Sequence, residues 1–318
     1  MAVARAVTDS KFELEKLFLK ANDAEATGAR AIAVMVVNNT SLQWLDVSFN
    51  LRLMKAKNSD GLTAPVAAWA QALEKNSTLN MLDVQQAGLD DSNLRTLGDA
   101  LLLPERTIKG LPHLSCDSFQ LTPGDEAPNV KKAGEGAAIL ICGLLRCNAT
   151  VTQLNLSGHA QGPAFLRSLA IAFRSNKDSK LVTIDLSSCF TAKTADQETL
   201  AATKELANVI RTEMTPSSKR KLAIDTHKNS GSSFILAHEM QTASTIDKKG
   251  LELSALSATV IGEWIQPNTS LAHLDLSSNK LRDEGFIAIA QALKEYRGQV
   301  SVLSLKDNDG RAQGARAR

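Results

Sequence analysis

Five histidines and four cysteines are the residues of this chain best suited to metal or nucleophilic chemistry, and their spacing organises neither. His113, His159, His227, His238 and His273 never stand one helical turn apart, and no HExxH occurs, so the paired-imidazole face of a zinc site is not expected. Cys116, Cys142, Cys147 and Cys189 contain no CxxC pair and read as free, buried thiols of a reducing compartment. The glycine-bearing stretch KAGEG at 132–136 does not match a phosphate loop, and no GxxxxGK[ST] occurs. Nothing selects a Ser–His–Asp set. The expectation is therefore a protein that is not an enzyme, with no catalytic, cofactor-binding or metal-binding residues and no cofactor.

What the sequence does organise is a repeat. Its clearest copy, LAHLDLSSNKLRDEGFIAIAQALKEY, places Leu271, Leu274 and Leu276 at relative positions one, four and six, and Asn279 at nine. Phe286, Ile289, Ala290 and Leu293 then share one helical face. The same frame fits Leu42, Leu45, Val47 and Asn50, then Leu79, Leu82, Val84 and Ala87, then Ile108, Leu111, His113 and Cys116. It continues through Val151, Leu154, Leu156 and His159, Leu181, Ile184, Leu186 and Cys189, and Val300, Leu303, Leu305 and Asn308. Degenerate copies begin near Leu14, near Lys221 (Ile224, Thr226, Asn229) and near Ala243.

Each part of the unit has a physical reason. Apolar residues at period two make a short strand with one buried face. Asn or Cys at position nine turns inward, where it satisfies backbone groups that burial would leave unpaired. The turns NNTSL, KNSTL, CNATV and PNTSL end the helices, with an asparagine expected in the left-handed conformation. Only 4% of the residues are aromatic, which suits thin layers of Leu, Ile, Val and Ala.

These residues make the chain resemble the ribonuclease-inhibitor-like class of leucine-rich-repeat proteins. The resemblance implies an α/β solenoid, a horseshoe with parallel strands on its concave face and α-helices on its convex face. It covers residues 1–309 in about nine or ten repeats, some degenerate. Residues 310–318 are expected to be a mobile basic Gly/Ala/Arg tail.

The array departs from its own rule in several places. Surplus residues give edge loops at Leu51–Asp60 and Asp117–Lys132, carrying Lys55, Lys57, Lys131 and Lys132 as candidate partner contacts. A third surplus carries Lys219, Arg220 and Lys221, which together with the tail are the candidate nucleic-acid contacts. Ser232–Gln241 reads as an extra strand or hairpin. Position five, which points out from the strand face, holds Asp46, Asp83, Pro112, Asn155, Asp185, Asp225, Asp275 and Ser304. Five aspartates there make an acidic stripe, and with Trp44, Met81 and His273 beside it the stripe is suited to a basic helix or tail.

The net charge of +2 predicts no global attraction to nucleic acid or membrane. Met1–Lys20 lacks the apolar core of a secretory signal, and no apolar run approaches the roughly 20 residues of a membrane span. The expected protein is an intracellular, cytoplasmic or cytoskeletal interaction scaffold, a subunit of a cytoskeletal, flagellar or ribonucleoprotein assembly. The alternative is a GTPase-activating protein resembling the activators of Ran, although those usually carry an acidic segment where this chain has a basic tail. Ribonuclease inhibitors share the fold class, but they are strongly acidic and rich in cysteine.

Overall fold

The period-two pattern of each repeat is realised as a short strand centred on the apolar residue at position four. The structure, a computed structural model, describes residues 13–55, 64–103, 111–190, 196–213, 220–227 and 231–310. Lys57, Lys219 and the tail beyond residue 310 lie outside the described residues. Contacts divide the chain into two compact units, Met1–Val151 with Asp178–Lys180, and Thr152–Lys177 with Leu181–Arg318.

In the first unit, β1 (Lys16–Phe18), β2 (Trp44–Asp46), β3 (Met81–Asp83) and β4 (His113–Ser115) pair in parallel in chain order. Leu17, Leu45, Leu82 and Leu114 stand in register, and the last three are fully buried. Helices α1 (Ala26–Asn38), α2 (Pro65–Lys75) and α3 (Asp91–Leu102) follow the first three strands, and α4 (Glu135–Leu145) comes after the fourth. The surplus Asp117–Lys132 is not simply a loop. It supplies β5 (Phe119–Leu121) and β6 (Asn129–Val130), which extend the sheet antiparallel and bury Phe119 and Leu121. In the first surplus, Leu53 and Met54 are core residues.

Helices α3 and α4 pack unusually closely. A Cβ on Gly98 would stand 2.7 Å from the Leu140 backbone nitrogen, so only glycine permits the approach. Asp91 then accepts hydrogen bonds from the Gly136 and Ala137 N–H groups, which satisfies the start of α4 from its neighbour.

The second unit holds two sheets. Strands β7 (Gln153–Asn155), β8 (Thr183–Asp185) and β9 (Lys221–His227) are parallel, and β10 (Gly231–Leu236) turns back antiparallel on β9. Strands β11 (Thr245–Asp247), β12 (His273–Asp275) and β13 (Val302–Ser304) form a separate parallel sheet. The helices are α5 (Pro163–Ser175), α6 (Gln197–Glu213), α7 (Ala237–Thr242), α8 (Ala255–Ile265) and α9 (Arg282–Glu295). The irregular stretch at 232–241 is thus mostly strand β10 followed by the short helix α7.

Two repeats take a different frame from the one their sequence led us to expect. Leu82 pairs with Leu114, so the fourth repeat starts at Leu111 rather than Ile108, and its sixth position is Cys116. Apolar residues three apart satisfy both frames, and the sheet register takes the one that buries Leu111, Leu114 and Cys116. In β9, Leu222 pairs with Ile184 and Ala223 with Asp185, two residues earlier than expected. A shift of two preserves strand alternation, so the pattern alone does not register it. Pro112 and Asp225 therefore leave position five, and Ser115 and Ala223 occupy it.

Side-chain amides join one repeat to the next. At the helix ends, Asn76 accepts from the N–H groups of Thr78 and Leu79 and donates to the carbonyls of Val36 and Asn39. Asn268 does the same with Ser270, Leu271, Met240 and Ala243. These asparagines are not left-handed as expected: Asn39 and Asn76 have φ of −89° and −76°. The left-handed residue falls at position eight, in Ala21, Phe49, Gln86, Ser188, Ser278 and Asp307, and in Gly158 and Gly250. Immediately after it, position nine turns inward. Asn50 accepts from the N–H groups of Asn22 and Ala24 and donates to the carbonyls of Leu19, Val47 and Ser48. Asn279 repeats the pattern in the third sheet, and in the second the Cys189 thiol donates to the Leu156 carbonyl. All four cysteines are free; burial pushes the thiols of Cys116 and Cys189 up to about 11 and about 12.

Asn76→Ala strands two carbonyls and two N–H groups, and is expected to lower the unfolding free energy by about 1–3 kcal/mol in urea titrations. A loss below about 0.5 kcal/mol would show that water replaces the amide. Asp225 accepts from the Ser254 N–H and the Ser257 hydroxyl at the start of α8, and burial raises its carboxyl above the usual aspartate range. Its folded-state value exceeds the unfolded one, so its contribution is full below the unfolded value and is lost as pH rises through the raised one. Against Asp225→Asn, the wild type should lose stability across that window and run parallel above it. The opposite slope would mean that the charged form is the favoured one.

Candidate protein-binding face

Positions three and five of each strand point away from the core, and the sequence placed its candidate residues there. Within the first unit, Trp44 and Asp46 on β2 register with Met81 and Asp83 on β3. Asp46 and Asp83 are half-buried, but Met81 is only 3% exposed and offers little contact area. His113 on β4 is also buried, with Nδ1 against Asn80, and burial lowers its pKa below the usual histidine value.

The residues of the expected acidic stripe are divided among three hydrogen-bonded sheets. Asp46 and Asp83 belong to one sheet, Asn155 and Asp185 to a second, and Asp275 to a third, while Asp225 is drawn into the cap of α8. Asp185 is buried. His273 and Asp275 do stand together on β12, next to Asp247 on β11. Asp247 was missed, although Thr245-Ile246-Asp247 repeats the triplet Thr183-Ile184-Asp185 letter for letter.

The position-five side chains share a local task. Asp46 accepts from the Ser48 N–H, Asp83 from Gln85, Asn155 from Ser157, Asp185 from Ser187, Asp247 from Lys249 and Asp275 from Ser277. Each closes an Asx turn that leads the chain from the strand into the left-handed residue at position eight. Their surroundings then separate them. Burial raises the Asp83 carboxyl, with the Asp46 charge adding to the effect, whereas the Ser277 hydroxyl and N–H lower Asp275.

The candidate basic groups divide as well. Lys55, Lys131 and Lys132 are exposed. Arg220 is instead buried, donates to the Leu181 carbonyl and is lowered by burial to about 10, while Lys221 lies over the Phe234 ring at 5.0 Å. The expected phosphate-facing cluster is therefore not an open patch, because the strand frame turns Arg220 into the core. Among the described residues no three His, Cys, Asp or Glu are grouped to hold a metal, and no helix is long and apolar enough to cross a membrane.

The most distinctive outward surface lies at β1 and β2. Phe18 is 60% exposed, Phe49 39% and Leu51 60%, in a chain with only nine Phe, three Trp and one Tyr. Phe18 and half-buried Trp44 meet at 6.4 Å between ring centroids. Lys16 lies over Trp44 at 5.5 Å and Lys20 over Phe49 at 4.7 Å. Trp69 and Trp264, by contrast, are fully buried. Phe49 occupies position eight with φ of 59°, where the other described repeats carry Ala, Gln, Ser, Asp or Gly. A bulky side chain in that backbone region is strained by roughly 1–3 kcal/mol, and such strain concentrates at functional sites. Of this corner the sequence reading contained Trp44 and Asp46; it missed Lys16, Phe18, Lys20, Phe49 and Leu51.

Parallel strands alternating with helices on a leucine-spaced unit define a leucine-rich-repeat type of fold. No protein-family model matches the chain, and none of the curated proteins does. Among solved structures it is similar to actin-binding site 2 of leiomodin-1, at 14% identity and a TM-score of 0.33, over 48% of this chain and 75% of that one. It is also similar to the tropomodulin C-terminal domain of Caenorhabditis elegans, at 10% identity and 0.28, over 66% and 94%. The leucine-rich repeat-containing protein LegL7 of Legionella pneumophila aligns at 13% identity and 0.27, over 99% and 92%.

If the left-handed position strains Phe49, Phe49→Gly should raise the unfolding free energy by about 1 kcal/mol in urea titrations. A fall of that size would show instead that the ring's contact with Lys20 outweighs its backbone strain.

Proposed function

We propose that this protein is a non-catalytic interaction scaffold that holds a protein partner on the corner formed by Phe18, Trp44, Phe49 and Leu51. The repeats are, in this reading, of the ribonuclease-inhibitor-like kind, with strands on a concave horseshoe face, and the protein serves as a subunit of a larger intracellular assembly. The observation that carries it is the exposure of scarce aromatics on and just after β1 and β2, with Phe18 against Trp44 and Phe49 in a strained backbone position. Exposed apolar clusters rimmed by polar residues are a mark of interaction sites, and Trp is enriched among residues that dominate binding energy. Lys16, Lys20 and Asp46 supply the polar rim and fix orientation more than affinity. A strand face held by a ladder of buried amides loses little conformational freedom on binding.

The test is lysine crosslinking in an extract of the native source, followed by measured binding of the recovered partner. Crosslinks at Lys16 and Lys20, and a loss of about 2 kcal/mol or roughly 30-fold in affinity for Trp44→Ala, are expected. Crosslinks concentrated at Lys55, Lys131 and Lys132, with Trp44→Ala unchanged, would move the face to the edge lysines. Recovery of a small GTPase whose hydrolysis the protein accelerates would replace the scaffold with an activator.

A further inference from the structure

The second unit breaks the rule of one full helix per strand. Helix α7 has six residues, so α6 packs directly on α8, and the Trp264 indole donates to the Ala207 carbonyl at 3.0 Å. Helix α8 is sunk between α6 and α9, with every residue from Ala255 to Ile265 buried. Above it, a cavity of about 250 Å³ opens between α6 and α9. This is below the roughly 300–1,000 Å³ of pockets that enclose a whole small molecule, and it suits one long side chain.

Its lining is apolar along the walls and acidic where charge is concerned. Leu200, Ile287 and Ala288 offer surface for a methylene stem. Glu263 borders the cavity with its side chain 7% exposed. Its cationic neighbours stand off, Lys204 at 3.5 Å and Arg211 at 3.8 Å, well beyond the roughly 2.7–2.9 Å of a charge-assisted hydrogen bond. The carboxylate is thus held by two long ion pairs, one on each oxygen, and closer donors brought by a ligand would bind it more strongly. Glu284 and Glu295 add two further carboxylates to the lining, against the single cation Lys204.

We infer that this cavity receives an arginine side chain from a partner protein, with the guanidinium on Glu263 and the acidic rim of α9. A guanidinium fits better than an ammonium because its planar fork presents two parallel donors to one carboxylate, and its weaker hydration lowers the cost of entry. The site is separate from the aromatic corner, and neither depends on the other.

The experiment is methyl NMR of the full chain titrated with N-acetyl-arginine amide, and with N-acetyl-citrulline amide as its neutral isostere. Saturable shifts of the Leu200 and Ile287 methyls are expected with arginine, with citrulline weaker by about tenfold or more. Glu263→Gln should abolish the preference for arginine. Ala288→Leu, which fills the cavity and leaves every charge in place, should abolish the shifts while the melting temperature shows the fold intact. Equal response to the two amides, shifts that survive Ala288→Leu, or no saturable shift at those methyls would each overturn the proposal.

Discussion

A strand of three residues cannot satisfy the main chain around it, and the structure depends on how that deficit is met. Between one repeat and the next, the loops on both sides of each helix run through buried space, where unpaired N–H and carbonyl groups are expensive. Two asparagines per well-formed repeat meet the need. Asn50 and Asn279 do it at the strand end and Asn76 and Asn268 at the helix end, each spanning two successive repeats. A primary amide suits the task because it accepts and donates at once, which neither a hydroxyl nor a carboxylate does with the same reach. The leucines fill the layers, but the amides set the spacing from one layer to the next.

That arrangement frees the outward positions to vary. Position five stays Asp or Asn in most strands because it closes the Asx turn, and this local task accounts for the acidic pattern that runs through the sequence. Position eight is constrained by backbone conformation, so a residue that ignores the constraint stands out. Phe49 does so, in the same repeat as Trp44, with Lys20 against its ring.

The repeat, its strand–helix alternation and most of its core were legible because leucine spacing reports burial directly. The frame at Leu111 was not, since Ile108, Leu111 and Leu114 are evenly spaced and only the neighbouring strand decides among them. The frame at Leu222 was hidden for a related reason: strand alternation is unchanged by a slip of two. The division of the stripe among three sheets depends on β5 and β6, which end the first, and on β10, which ends the second, and their choice of partner is a tertiary event. Of the binding corner, Trp44 was visible by position, whereas Phe49 required knowing that its slot is left-handed. The cavity over α8 had no local signal, because it follows from the shortness of α7, which contributes no residue to its lining.

Strand β10 has one further consequence. By taking the second edge of β9, it leaves the ladder β7–β9 and the ladder β11–β13 with no shared main-chain hydrogen bonds. In repeat proteins cooperativity passes through nearest-neighbour interfaces. At this point the sheet's main chain no longer relays it, and the packing of α8 on α6, with the Asp225 bonds to Ser254 and Ser257, takes its place. The hairpin thus forms a firebreak in the main chain: loss of the three-stranded sheet from β13 inward leaves β7–β10 with every main-chain hydrogen bond of their own sheet, and costs β9 only the side-chain bonds of Asp225.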